Sequence, residues 1–101
     1  MSSYSSITLH FPSYSKIYDA LKTEEPNNHD NQNFIETIAK FFADEQLSAD
    51  EAKMRFGLIA IENENCQTDN PISLFLQSSK CNGYYNKITE LAKNISNHSP
   101  T

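Results

Sequence analysis

Three histidines are the residues of this sequence whose chemistry most often serves metal binding or acid–base catalysis. His10, His29 and His98 lie far apart along the chain. None belongs to an H-x-x-H or H-E-x-x-H spacing, which would place two zinc ligands on one face of a helix. The sequence therefore predicts three surface histidines and no metal site.

The two cysteines, Cys66 and Cys81, are the candidate nucleophiles. Glu62, Glu64 and Asp69 lie close to Cys66 in the sequence. Nearby negative charge disfavours the thiolate, which is the reactive form of cysteine. We therefore expect both cysteines to be unreactive, and we expect reduced thiols rather than a disulfide, because nothing in the sequence indicates an oxidising compartment.

Glycine is too rare in this chain for the common nucleotide-binding and calcium-binding loops. Gly57 and Gly83 are its only glycines, and they are isolated. A phosphate-binding loop requires several glycines so that backbone N–H groups can approach the phosphate oxygens, and an EF-hand loop requires a central glycine. We therefore predict no cofactor and no enzymatic activity.

Charge is unevenly distributed along the 101 residues. The formal net charge is -5, but residues 19–70 carry 12 acidic and four basic side chains, whereas the flanking segments are slightly basic. An acidic middle repels nucleic-acid phosphates, which argues against direct binding of DNA or RNA. It would complement a basic protein partner.

The most informative stretch is the segment from Ser48 to Ile61. Ser48 and Glu51 form an S-x-x-E capping box, which predicts the start of a helix. At about 100° per residue the apolar side chains that follow fall on two nearly opposite faces. One face carries Ala52, Phe56, Ile59 and Ala60, and the other carries Met54, Leu58 and Ile61. A helix that is apolar on two sides is either enclosed by its neighbours or keeps one face for a partner.

Apolar spacing of three and four residues predicts further helices on both sides of this segment. Their expected positions are from Pro12-Ser13 to Thr23–Glu25, from Asp30–Asn33 through Phe42, from Asn70-Pro71 to about Lys80, and from about Tyr84 to Asn94. The second of these carries Phe34, Ile35, Ile38, Phe41 and Phe42 on one arc, which predicts a core face. Asn82-Gly83 predicts a break between the last two helices, and Glu62–Asn70 predicts a loop.

The predicted fold class is all-α, a four- to five-helix bundle with short connections and an extended N-terminal arm. The arm is Ile7–Phe11, whose residues alternate in polarity like a strand. The only other candidate strand is Phe56–Ile61, which lies within the predicted helix from Ser48 to Ile61. We therefore expect the arm to pack on helices without a strand partner. The length predicts a single domain over residues 1–101, with flexible ends at residues 1–6 and 96–101.

These features favour a small non-enzymatic protein-interaction module, acting as an inhibitor, adaptor or chaperone of a partner protein. The alternatives are a homodimeric helical regulator and an acidic mimic of nucleic acid that blocks a nucleic-acid-binding protein. The predicted partner-binding residues are Met54, Leu58, Ile61, Glu62, Glu64, Tyr84 and Tyr85.

We expect a cytoplasmic protein without membrane contact, because the sequence has neither an apolar leader nor an apolar run of about 20 residues. Abundant lysine and asparagine are typical of AT-rich bacterial and viral genomes.

Overall fold

The computed structural model describes residues 8–24, 32–64 and 79–97. This part of the chain is mostly helical, with four helices and one two-stranded sheet. In chain order the elements are β1 (Thr8–His10), α1 (Tyr14–Glu24), α2 (Gln32–Phe42), β2 (Gln46–Ser48), α3 (Ala49–Glu64) and α4 (Ser79–Asn97).

Helix α1 begins where the sequence predicts, directly after Pro12-Ser13. The Ser13 carbonyl accepts a hydrogen bond from the Ile17 backbone N–H at 3.1 Å, which closes the first helical turn. Ile17 and Leu21 are fully buried, whereas Tyr14 is 42% exposed. Helix α1 therefore packs on the core through two positions one turn apart.

The two short strands correct the prediction of an all-α fold. β1 pairs antiparallel with β2, and Leu9 lies opposite Leu47 with both side chains buried. The Phe11 N–H extends the pairing by donating to the Glu45 carbonyl at 2.9 Å. The N-terminal arm thus has a strand partner, which is β2 and not the predicted candidate Phe56–Ile61. The sequence pattern does not reveal β2, because a three-residue strand is too short to show alternation.

A residue in the left-handed region redirects the chain from α2 into β2. Asp44 has a φ of 58°, a conformation that aspartate tolerates better than most residues. Its N–H donates to the Pro12 carbonyl at 2.9 Å, which fixes the turn against the segment between β1 and α1.

Both hydrogen bonds of the predicted capping box are present at the start of α3. The Ser48 N–H donates to Glu51 Oε1 at 2.9 Å, and the Glu51 N–H donates to Ser48 Oγ at 3.1 Å. The helix continues to Glu64, so the prediction of a loop from Glu62 is wrong for its first three residues.

Helix α4 corrects the predicted break at Asn82-Gly83. It begins at Ser79, passes through both residues and ends at Asn97, beyond the predicted end at Asn94. Gly83 does not adopt a positive φ, so it makes no turn. Most of the predicted helix from Asn70-Pro71 to Lys80 lies outside the described residues.

Aromatic rings join the elements into one core. Phe34 of α2 contacts Phe56 of α3 and Tyr84 of α4, with ring centroids 6.0 and 5.6 Å apart. Phe42 contacts Phe56 and also Phe11, whose centroid is 5.0 Å away. Tilted pairs of this kind add stabilisation beyond the area that they bury. The core therefore covers the Phe56 face of α3.

Candidate functional site

The core leaves most of the second apolar face of α3 exposed. Ala52, Phe56 and Ala60 are fully buried, whereas Met54 and Leu58 are 45% and 55% exposed. Two large apolar side chains one turn apart on an exposed helix face are the start of a hydrophobic patch.

Helix α2 extends this patch across the surface. Phe41 is 48% exposed although its neighbour Phe42 is fully buried. Phe41 and α3 border an open groove with a volume of about 800 Å³. We call it the α2–α3 groove. Its lining residues are Thr37 and Phe41 of α2, Leu47 of β2, and Glu51, Met54, Arg55, Leu58, Ile59, Ile61 and Glu62 of α3.

Arg55 connects the two helices that border the groove. Its Nη1 donates to the Phe41 carbonyl at 2.9 Å and to Glu45 Oε1 at 3.1 Å. The Phe41 carbonyl is one of the terminal carbonyls of α2, which lack a partner within the helix. Because the Arg55–Glu45 pair is partly exposed, its ionic contribution to stability is at most about 1 kcal/mol. Its main effects are to fix α2 against α3 and to neutralise the guanidinium charge.

The polar rim of the groove is acidic. Glu51 and Glu62 line it at opposite ends of α3, and both side chains are exposed. The last turn of α3 contains no basic residue. The negative end of the helix dipole therefore adds to the charge of Glu62 rather than being compensated. Arg55 is the basic residue of the lining, and Glu45 already balances it.

Of the predicted partner-binding residues, the structure brings four together in the groove: Met54, Leu58, Ile61 and Glu62. Ile61 is half-buried and packs against the core. Glu64 is the last residue of α3, and its side chain lies outside the described set. The two-sided apolar period of the helix identifies Met54, Leu58 and Ile61, and the acidic charge beside it identifies Glu62.

Tyr84 and Tyr85 lie elsewhere, and the prediction for Tyr84 is wrong. Tyr84 is 0% exposed and packs on Phe34, so it cannot contact a partner. Tyr85 is half-buried, and its ring meets Phe56 edge-on at 5.4 Å, on the core face of α3. Burial, and secondly the negative charge of Asp50, raise the pKa of the Tyr85 hydroxyl above its ordinary value.

Six lining residues are not among the predicted partner-binding residues, and Phe41 is the exposed apolar one of these. The sequence predicts Phe41 to face the core because it lies on the apolar arc of α2. The available signal was its position at the edge of that arc, about 100° from Phe42, since edge positions of an amphipathic stripe are the first to face solvent.

Of the residues that first suggested chemistry, His10 and Cys81 lie in the described part of the chain. His10 is exposed on β1, and Cys81 is buried in α4. His29, Cys66 and His98 lie outside the described residues. Within residues 8–24, 32–64 and 79–97, no three histidine, cysteine or acidic side chains are grouped as metal ligands would be.

None of the helices in the described part of the chain combines the length and apolarity needed to cross a membrane. The chain matches no protein-family model, no curated protein and no solved structure.

Proposed function

We propose that this chain is a non-enzymatic interaction module that binds another protein through the α2–α3 groove. The supporting observation is the exposure of Phe41, Met54 and Leu58 around one groove. Apolar side chains clustered on a surface favour association, because a partner that covers them removes apolar area from water at about 25 cal/mol per Å².

The proposed mode of action is occlusion or bridging of a partner surface, as in an inhibitor, adaptor or chaperone. The lining offers apolar side chains, two carboxylates and a paired guanidinium, and this composition serves recognition rather than bond making. We further propose that the complete fold is a four- to five-helix bundle and that the protein acts in the cytoplasm.

The test compares two matched variants with the wild-type chain as baits. Leu58→Asp places a charge in the groove, whereas Ile95→Asp places the same charge on an exposed apolar position of α4 that is not a lining residue. Circular dichroism first establishes that each bait is folded. Quantitative mass spectrometry then compares the proteins captured from a lysate of the organism that encodes the chain.

We expect at least one protein to be captured by the wild type and by Ile95→Asp, and to be lost with Leu58→Asp. A buried charge at the centre of an interface costs several kcal/mol, which corresponds to a loss of binding of about 100-fold or more. A captured set that is unchanged by Leu58→Asp would contradict the proposal.

A further inference from the structure

We infer that the occupant of the α2–α3 groove is a basic amphipathic helix of about three turns, supplied by the partner protein. This inference rests on the proposed function and adds the chemistry of the partner. It follows from the length of the groove, from the elements that line it and from the charge at its two ends.

The length of the groove sets the length of its occupant. Its lining along α3 extends from Glu51 to Glu62. At 1.5 Å per residue this is about 17 Å, or about three helical turns. An amphipathic helix of that length presents apolar residues at i, i+3 or i+4, and i+7, which matches the spacing of Met54, Leu58 and Ile61.

The lining elements favour a helix over an extended peptide. All of the lining residues except Leu47 belong to α2 or α3. A helix satisfies its backbone N–H and C=O groups internally, so such walls offer few backbone partners. An extended segment seated on them would leave a row of its backbone groups without protein partners, whereas a helix pairs its central groups internally and leaves only those at its two ends to water.

The charge of the rim selects a basic occupant. Glu51 and Glu62 stand at the two ends of the groove, and the Arg55 charge between them is balanced by Glu45. One oxygen of Glu51 accepts the Ser48 N–H and Lys40 lies over the Phe41 ring, so Glu62 is the carboxylate most available to a cation. A helix with lysine or arginine beside its apolar stripe would place cations near both carboxylates. The uncompensated C-terminal end of α3 adds attraction at Glu62.

The same charges disfavour a second copy of this chain as the occupant. In a two-fold contact between copies of α3, antiparallel packing brings Glu51 of one copy towards Glu62 of the other. Parallel packing brings each glutamate towards its own equivalent. Either arrangement places like charges together, which opposes association.

The test uses a phage-displayed library of helix-forming peptides of about four turns, panned against the immobilised full-length chain. Binders that also bind Leu58→Asp are removed by counter-selection. We expect the enriched peptides to share apolar residues at i, i+3 or i+4, and i+7, and to carry an excess of lysine and arginine.

Fluorescence anisotropy then measures the best peptide against two charge-reversal variants. Glu62→Lys changes the groove rim, and Glu90→Lys changes an exposed glutamate of α4. We expect Glu62→Lys to weaken binding by about tenfold and Glu90→Lys to leave it within about twofold. Raising the salt concentration from about 0.02 M to about 0.3 M should weaken the wild-type complex.

The outcomes separate this inference from the proposed function. Peptides that need Leu58 but are acidic, or lack helical periodicity, would overturn the basic helix and leave the groove as a binding site. If Glu62→Lys and Glu90→Lys change the peptide affinity equally, the basic helix is likewise overturned and the groove remains a binding site. If no enriched peptide depends on Leu58, both proposals fail.

The unfolding free energy of Leu58→Asp provides a further check. A loss well above that of Ile95→Asp would show that Leu58 is packed within its own chain. The groove would then have no room for a partner helix beside Leu58, and the inference would be overturned.

Discussion

Phe41 and Phe42 show how much the environment of a residue depends on where its helix faces. The two side chains are adjacent and chemically identical, yet Phe42 is fully buried and Phe41 is half-exposed. The 100° step between them turns one ring towards Phe11 and Phe56 and the other towards the groove. Lys40 lies over the Phe41 ring, with Nζ 5.9 Å from the ring centroid. The lysine side chain therefore covers part of the exposed apolar surface of Phe41.

Tyr85 carries a prediction about alkaline stability. Its pKa in the folded state is raised, first by burial and then by Asp50. A raised pKa means that the neutral hydroxyl stabilises the fold below the ordinary tyrosine pKa of about 10, and that this contribution is lost as pH rises through the folded-state value. We expect the unfolding free energy of the wild type to fall more steeply between about pH 9 and about pH 11 than that of Tyr85→Phe.

Urea unfolding at a series of pH values measures these slopes. Tyr14→Phe removes the hydroxyl of a more exposed ring and should keep the wild-type slope. If Tyr85→Phe also keeps the wild-type slope, burial and Asp50 do not raise the pKa of the Tyr85 hydroxyl in the folded protein.

At the scale of elements, α4 is the clearest case in which tertiary structure overrides a local signal. Asn82-Gly83 is a common turn sequence, but both residues lie inside the helix. The flanking residues Cys81 and Tyr84 are fully buried. Burial of these side chains offsets the roughly 1 kcal/mol by which glycine disfavours a helix relative to alanine.

Gly83→Ala tests the continuity of α4. A Cβ at Gly83 would lie more than 4 Å from every atom beyond its chain neighbours and the adjacent backbone of its own helix, and the residue has no positive φ. We therefore expect Gly83→Ala to raise the free energy of unfolding by about 0.5–1 kcal/mol in urea titrations.

Gly83→Pro should have the opposite effect on the unfolding free energy, a loss of about 3 kcal/mol or more, because proline in a helix interior removes a hydrogen bond and clashes with the preceding turn. If Gly83→Pro keeps the wild-type free energy of unfolding and Gly83→Ala lowers it, the chain turns at Asn82-Gly83 and α4 is not continuous.

At the scale of the whole molecule, the arrangement of charge around the groove predicts the oligomeric state. The chain carries a net charge of -5, and acidic side chains border its exposed apolar surface. Net negative charge on the chain and at the ends of the groove opposes contact between copies, while the patch stays accessible to a partner of opposite charge.

We accordingly expect light scattering to show a monomer at about 0.1 mM protein in low salt. Any weak self-association should increase with salt concentration, because salt screens the repulsion between the acidic side chains of two copies and leaves their apolar contact intact. A dimer that is stable at low salt and is abolished by Leu58→Asp would instead support the homodimeric alternative and would argue against a basic partner helix.

The sequence by itself determined the features of this protein that depend on local physics. The capping box, the start of α1 after Pro12-Ser13 and the two apolar faces of α3 follow from spacings of three and four residues, which one helix fixes without its neighbours. Met54, Leu58 and Ile61 could be identified as candidates for partner binding for the same reason, whereas Glu62 is a candidate only because of its charge.

Only the tertiary structure decided the features that depend on contacts between distant segments. It paired Leu9 with Leu47, kept α4 continuous through Gly83, enclosed Tyr84 and left Phe41 at the surface. It also decided which apolar face of α3 was covered, because burial is a property of the neighbours that reach a face and not of the face alone. Local patterns carry no information about those neighbours, so the groove itself became visible only when α2 and α3 were placed side by side.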